Sequence, residues 1–122
     1  MRLGWVKPLA LRPGRSAHPE IGFEVEERAD QSILHCHLHN QNLDYDQLDG
    51  LHVPSLPENK GIILDGKLPL WLFTSLAAFY QQFGPPWIAS FHPPLQGAVV
   101  IFSRSARHAP GDLLPITFAR RP

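Results

Sequence analysis

The chain has 122 residues, with eleven basic and eleven acidic side chains, so it reads as one domain without formal net charge, long enough to bury a core unaided. That balance removes the long-range attraction by which basic domains find duplex DNA or RNA, and a single cysteine, Cys36, excludes an internal disulfide. No apolar run approaches the ~18 residues of a membrane span and Met1 to Ala10 lacks the shape of a signal peptide, which makes a cytoplasmic setting the expectation.

Residues 1–20 carry Leu3, Trp5 and Val6 among prolines and arginines, and read as an N-terminal arm or an extra edge strand. The folded domain is expected over 21–122. Ile21, Phe23 and Val25 alternate with Gly22, Glu24 and Glu26, which predicts a half-buried strand. After a turn at Ala29-Asp30-Gln31, Ile33 to His39 alternates again, with Leu34, Cys36 and Leu38 on one face and His35, His37 and His39 on the other. Leu43, Leu48 and Leu51 suit a short helix between Asn40 and Leu51, with Asp44 as a candidate cap.

Gly61 to Leu64 has the continuous apolar run of a strand covered on both faces. Asp65-Gly66 ends it, since Asp tolerates turn geometry and Gly accepts a positive φ. A helix is predicted over about Pro69 to Phe83, because Leu72, Leu76, Phe79, Tyr80 and Phe83 make a core-facing stripe and Pro69 suits the first turn. Gly84-Pro85-Pro86 stops it. Strands follow at Trp87–His92 and Ala98–Phe102, then a polar loop from Ser103 to Asp112. Leu113 to Phe118 is the last strand, and Pro115 puts it at an edge. The expected fold is α/β in the α+β sense: one mixed sheet with two helices mainly on one face.

Two constellations carry candidate chemistry. Period-two spacing sets His35, His37 and His39 on one strand face, roughly 6.6 Å apart per step, the weak candidates for a metal site. The other reading is a polar face, exposed or buried at a subunit contact, because no acidic or cysteine partner with metal-site spacing is evident there. The β-to-α turn Asp65-Gly66-Lys67 follows a buried strand, where α/β proteins usually hold ligands, and a lysine beside a helix N-terminus suits a phosphate. Trp71 and Trp87 suit core or interface better than adenine stacking. Cys36, on the apolar side of its strand, reads as a buried small hydrophobe.

The wording of this region also resembles a known family. "NKGIILDGKLPLWL" (59–72), then a helix, a strand ending Phe91-His92-Pro93, and "GAVVIFS" (97–103) are similar to the small CRISPR-associated ring nucleases of the Csx-three type. Those proteins carry a "KGVV-SGR-PIWL" core and then "DPR-LGAVVV-SH". The resemblance runs from about Ser32 to Leu114 and is dense over Lys60–Leu72 and Trp87–Val100. It implies a ferredoxin-like variant that binds cyclic tetraadenylate, the second messenger of type III CRISPR systems, and cleaves it with help from manganese. It also implies a homodimer or higher homo-oligomer stacked around the ring.

Carried over by position, the resemblance implies ligand contacts at Asp65, Gly66, Lys67, Pro93, Ser103 and Arg104. The catalytic positions all depart from the pattern. The family's helix-end His falls at Gln81 or Gln82, its strand-end Asp at His92, and its following Arg at Pro94. Gln cannot exchange protons near neutral pH, and imidazole is not the hard oxygen ligand that manganese favours. His92 stands as a general base, with Lys67 or Arg104 stabilising phosphate charge. The reading adopted is a domain that binds and opens cyclic oligoadenylate. The alternatives are a sensor that binds without turnover, and a structural subunit of a CRISPR ribonucleoprotein that meets an effector protein through its histidine face.

Overall fold

The computed structural model describes residues 11–14, 18–39 and 51–118. The chain order is β1 (Arg12–Pro13), β2 (Ile21–Glu27), β3 (Gln31–Leu38), β4 (His52–Val53), β5 (Gly61–Asp65), α1 (Leu70–Gln81), β6 (Trp87–His92), β7 (Gly97–Ser103) and β8 (Leu113–Pro115), with a 3-10 turn at Pro93–Leu95. This is the mixed α+β domain expected, a ferredoxin-like variant. The short helix expected over Asn40–Leu51 lies, apart from Leu51, outside the described residues, as does most of the N-terminal arm.

Six strands form one sheet in the order β2-β3-β5-β6-β7-β8. Its centre, β3-β5-β6, is parallel, and antiparallel pairs flank it on both sides. A right-handed crossover is the rule for two adjacent parallel strands, and α1 supplies the connection from β5 to β6. Ile62, Ile63 and Leu64 are all buried, as a central parallel strand requires. β8 is the sheet's edge, where Pro115 costs no ladder hydrogen bond. It ends at Pro115, not at Phe118 as expected. Residues 116–118 leave the ladder and pack on the sheet face that α1 does not cover.

The two faces build two cores. Leu34, Cys36, Ile62, Leu64 and Ile88 meet Leu72, Leu76, Phe79 and Tyr80 of α1. Burying each such aliphatic side chain contributes roughly 1.5–3 kcal/mol. Tyr80, pushed up in pKa by burial, donates its hydroxyl hydrogen to the Pro54 carbonyl at 2.6 Å. On the other face Ile33, Ile63, Trp87, Ala89, Ala98 and Val100 are closed by Ile116 and Phe118. The Trp87 indole lies where a Gly61 side chain would be, 2.0 Å from an ideal Cβ, so Gly61 is held by close approach. Trp87 is therefore a core residue, and half-buried Trp71 packs against the helix-side core.

α1 begins one residue later than expected. Pro69 is its N-cap, with φ −55° and ψ 145°, and makes no side-chain cap. β4 was not anticipated, and β1, which falls in the segment read as an arm or extra edge strand, pairs with it in parallel, Arg12 with His52 and Pro13 with Val53, and not with the six-stranded sheet. Two residues are too few for any periodicity to be visible. Among the described residues no helix is long and apolar enough to cross a membrane.

Candidate functional site

An open cleft of about 780 Å³ lies at the carboxyl ends of β3 and β5, lined by Cys36, His37, Leu38, Gly66, Lys67, Leu68 and Pro69. Its floor follows from the turn after β5. Gly66 has φ +144°, and an added Cβ would come within 2.4 Å of the Cys36 carbonyl oxygen, so only glycine lets the chain pass this close to β3. The chain then presents Lys67, exposed and without an ion pair among the described residues, beside the N-terminus of α1. That helix has no side-chain cap and no acidic residue in its first turn, so its positive end is not neutralised locally.

Asp65 does not face this cleft as a bare carboxylate. Its Oδ2 accepts from His35 Nδ1 at 2.7 Å, and the other ring nitrogen, Nε2, donates to Glu26 Oε1 at 3.0 Å. The ring thus sits between two carboxylates, groups that only accept when ionised. Glu26 is also held by Arg28 at 2.7 Å, and Arg28 donates to the Thr117 carbonyl at 2.8 Å. The Phe118 ring stands edge-on to His35 with centroids 5.0 Å apart. His35 is only 1% exposed.

Period two sets the three histidines on one strand face, but their surroundings differ. His35 is buried inside its own chain, whereas His37 and His39 are exposed. The acidic partners held to be lacking are present, from β2 and β5. Among the described residues no group of three or more His, Cys, Asp or Glu side chains is placed to hold a metal ion. Glu26, Arg28 and Phe118 were missed. The signal for Glu26 was available, since Glu24 and Glu26 share the hairpin face of His35 once β2 and β3 are counted back from their turn. Nothing local pointed to Phe118.

The hydrogen bond from His35, aided by Arg28, holds the Glu26 carboxyl below the usual carboxylate range. A depressed carboxylate contributes stability above its ordinary value near 4.5, and that contribution is lost as pH falls through the lowered value. Thermal melts between pH 3 and 7 should therefore show stability falling on the acid side, with a shallower fall in Glu26→Gln. Identical profiles would show that this network does not contribute. Cys36 behaves differently: burial first, and the Asp65 charge second, push its thiol up to about 12. It stays protonated and lines the cleft as an apolar wall, not as a nucleophile.

The remaining candidates divide between the two ends of the sheet. His92 ends β6 and is exposed, followed by Pro93 in the 3-10 turn. Because Leu64 pairs with Ser90 in parallel register, His92 lies at the same sheet end as Asp65, Gly66 and Lys67. It is not one of the residues lining the cleft and lies one strand away. Gln81 and Gln82 end α1, which runs back to the opposite end of the sheet. There Arg104 donates to the Gln81 carbonyl at 2.9 Å and stacks over Phe102, and Ser103 bonds within its own loop to Ser105. Six residues of strand separate the two ends, roughly 17–20 Å. One copy of the chain therefore does not bring Gln81, Gln82, Ser103 or Arg104 to His92.

A family model described as CRISPR-associated protein (Cas_csx3) matches residues 36–115. The matched span contains the cleft turn, α1, His92 and the Ser103-Arg104 pair, and it begins one residue after His35.

Proposed function

The chain belongs to the CRISPR-associated Csx3 family, and from that premise we propose that it binds a cyclic oligoadenylate at the Asp65-Gly66-Lys67 turn and opens the ring at His92. The observation that carries this reading is the exposed Lys67 at an uncapped helix N-terminus, on the rim of a cleft of about 780 Å³. Ammonium and helix end both favour an anion there. The cleft has the size of a small-molecule site, so it takes part of a four-nucleotide ring, and a second copy encloses the rest.

Ring opening needs no redox partner. A ribose 2′-oxygen attacks its adjacent phosphorus in line, the bond to the 5′-oxygen breaks, and a 2′,3′-cyclic phosphate and a 5′-hydroxyl result. His92 takes the 2′-hydroxyl proton, solvent returns one to the 5′-oxygen, and Lys67 offsets the charge on the phosphate. Arg104 belongs to the opposite end of the sheet, so in this reading it acts on a ring bound by a neighbouring copy. Manganese does not fit the described residues: an imidazole, His92, stands at the family's carboxylate position, and among the described residues no cluster of donors surrounds it. No step is assigned to a metal.

The test is chromatography of cyclic tetraadenylate after incubation with the protein, with and without manganese; linear product supports the reading. A specific observation favours a second reading, binding without turnover: Gln81 or Gln82, His92 and Pro94 stand where the family has His, Asp and Arg. Intact ring with tight binding selects it. For either reading, Lys67→Ala should weaken binding roughly 5–150-fold, on the order of 1–3 kcal/mol, with little change in melting temperature. An unchanged dissociation constant by calorimetry moves the ligand away from this turn.

A further inference from the structure

His35 lies one residue before the matched family span and is not among the residues lining the cleft, yet it joins three elements around the turn that carries Lys67. Its direct register partner on β5 is Asp65, so the 2.7 Å bond from Nδ1 runs between facing residues at the end of the ladder. Beyond Asp65 no ladder pairing holds the chain, and Gly66 must still pass close against Cys36. We propose that His35 is the positioning residue of the ligand turn: through its bond to Asp65 it fixes the path of Gly66 and Lys67. The inference rests on the reading of Lys67 as the anion contact.

The surroundings support this role. Facing His35 are Glu26 from β2, held by Arg28, and Asp65 from β5. Glu24 is its register partner across the hairpin and is exposed. From the C-terminal segment comes Phe118, which carries no charge and covers the ring. His35 thus bridges the turn residue Asp65 to Glu26 on the neighbouring strand, and Arg28 fixes Glu26 in turn.

The two amide replacements separate positioning from support. In His35→Asn the amide nitrogen falls near the place of Nδ1 and keeps the bond to Asp65. In His35→Gln it falls near Nε2 and keeps the bond to Glu26 instead. Both lose the ring and its Phe118 contact, so both should lose comparable stability. Calorimetry with cyclic tetraadenylate, well below both melting temperatures, should place His35→Asn within about threefold of the parent and His35→Gln roughly tenfold weaker. Equal affinities in the two variants overturn the positioning role. Should neither variant fold, or the parent bind no ring, amide NMR of Glu26→Gln decides the matter. Loosening His35 from its far partner should shift the Gly66 and Lys67 amide signals, and unmoved amides overturn the proposal. A parent that binds no ring while these amides shift in the variant refutes the ligand reading alone.

Discussion

Gly66→Ala is expected to cost roughly 2–6 kcal/mol, combining a side chain forced into a glycine-only backbone region with overpacking against β3. The residue has φ +144°, and the atom its Cβ would strike is the Cys36 carbonyl oxygen, which belongs to a buried strand and cannot swing aside. Gly84→Ala is the comparison, since Gly84 also has positive φ (+83°) but nothing within 4 Å of the added atom. It should show the backbone cost alone. Chemical denaturation of both variants reads the difference. If Gly66→Ala is no more destabilising than Gly84→Ala, the close approach to β3 does not constrain the turn. Where Gly66→Ala still folds, the turn must move away from Cys36, carrying Lys67 with it, so binding should weaken beyond what stability explains.

His92→Ala should lower the ring-opening rate roughly 10²–10⁴-fold, the range over which a positioned general base acts. His92 is exposed at the end of β6 and contributes little to either core, so affinity and melting temperature should hardly move. Restoring the family's carboxylate, as His92→Asp, should not rescue turnover, because a carboxylate is a far weaker base than an imidazole near neutral pH. A parent that binds the ring yet cleaves it at no pH and with no metal rejects the base role and leaves the sensor. Sedimentation showing a strict monomer, with and without the ring, removes the arrangement in which Arg104 of one copy serves another.

Much of the architecture was legible because it is local. Three apolar residues followed by Asp65-Gly66 specify a buried strand and its stop, and the stripe from Leu72 to Tyr80 specifies a helix face, whatever the rest of the chain does. Pro115 placed its strand at an edge for a reason internal to proline, the missing N–H. Lys67 was recognisable for the same reason, since a turn between a buried strand and a helix leaves its residues at the surface.

What depends on contacts distant in sequence was decided only by the tertiary structure. Period two predicted three like histidines, but whether a strand face is wet or dry depends on what lies on it. Glu26, Asp65 and Phe118 arrive from 9 residues before His35 and from 30 and 83 residues after it. Gln81 and His92 are close in the chain and were grouped together, yet a crossover helix runs antiparallel to the strands it joins and carries its end away from their carboxyl ends. Alternation and propensity act over a few residues; burial, charge pairing and the sharing of a site are properties of the packed chain.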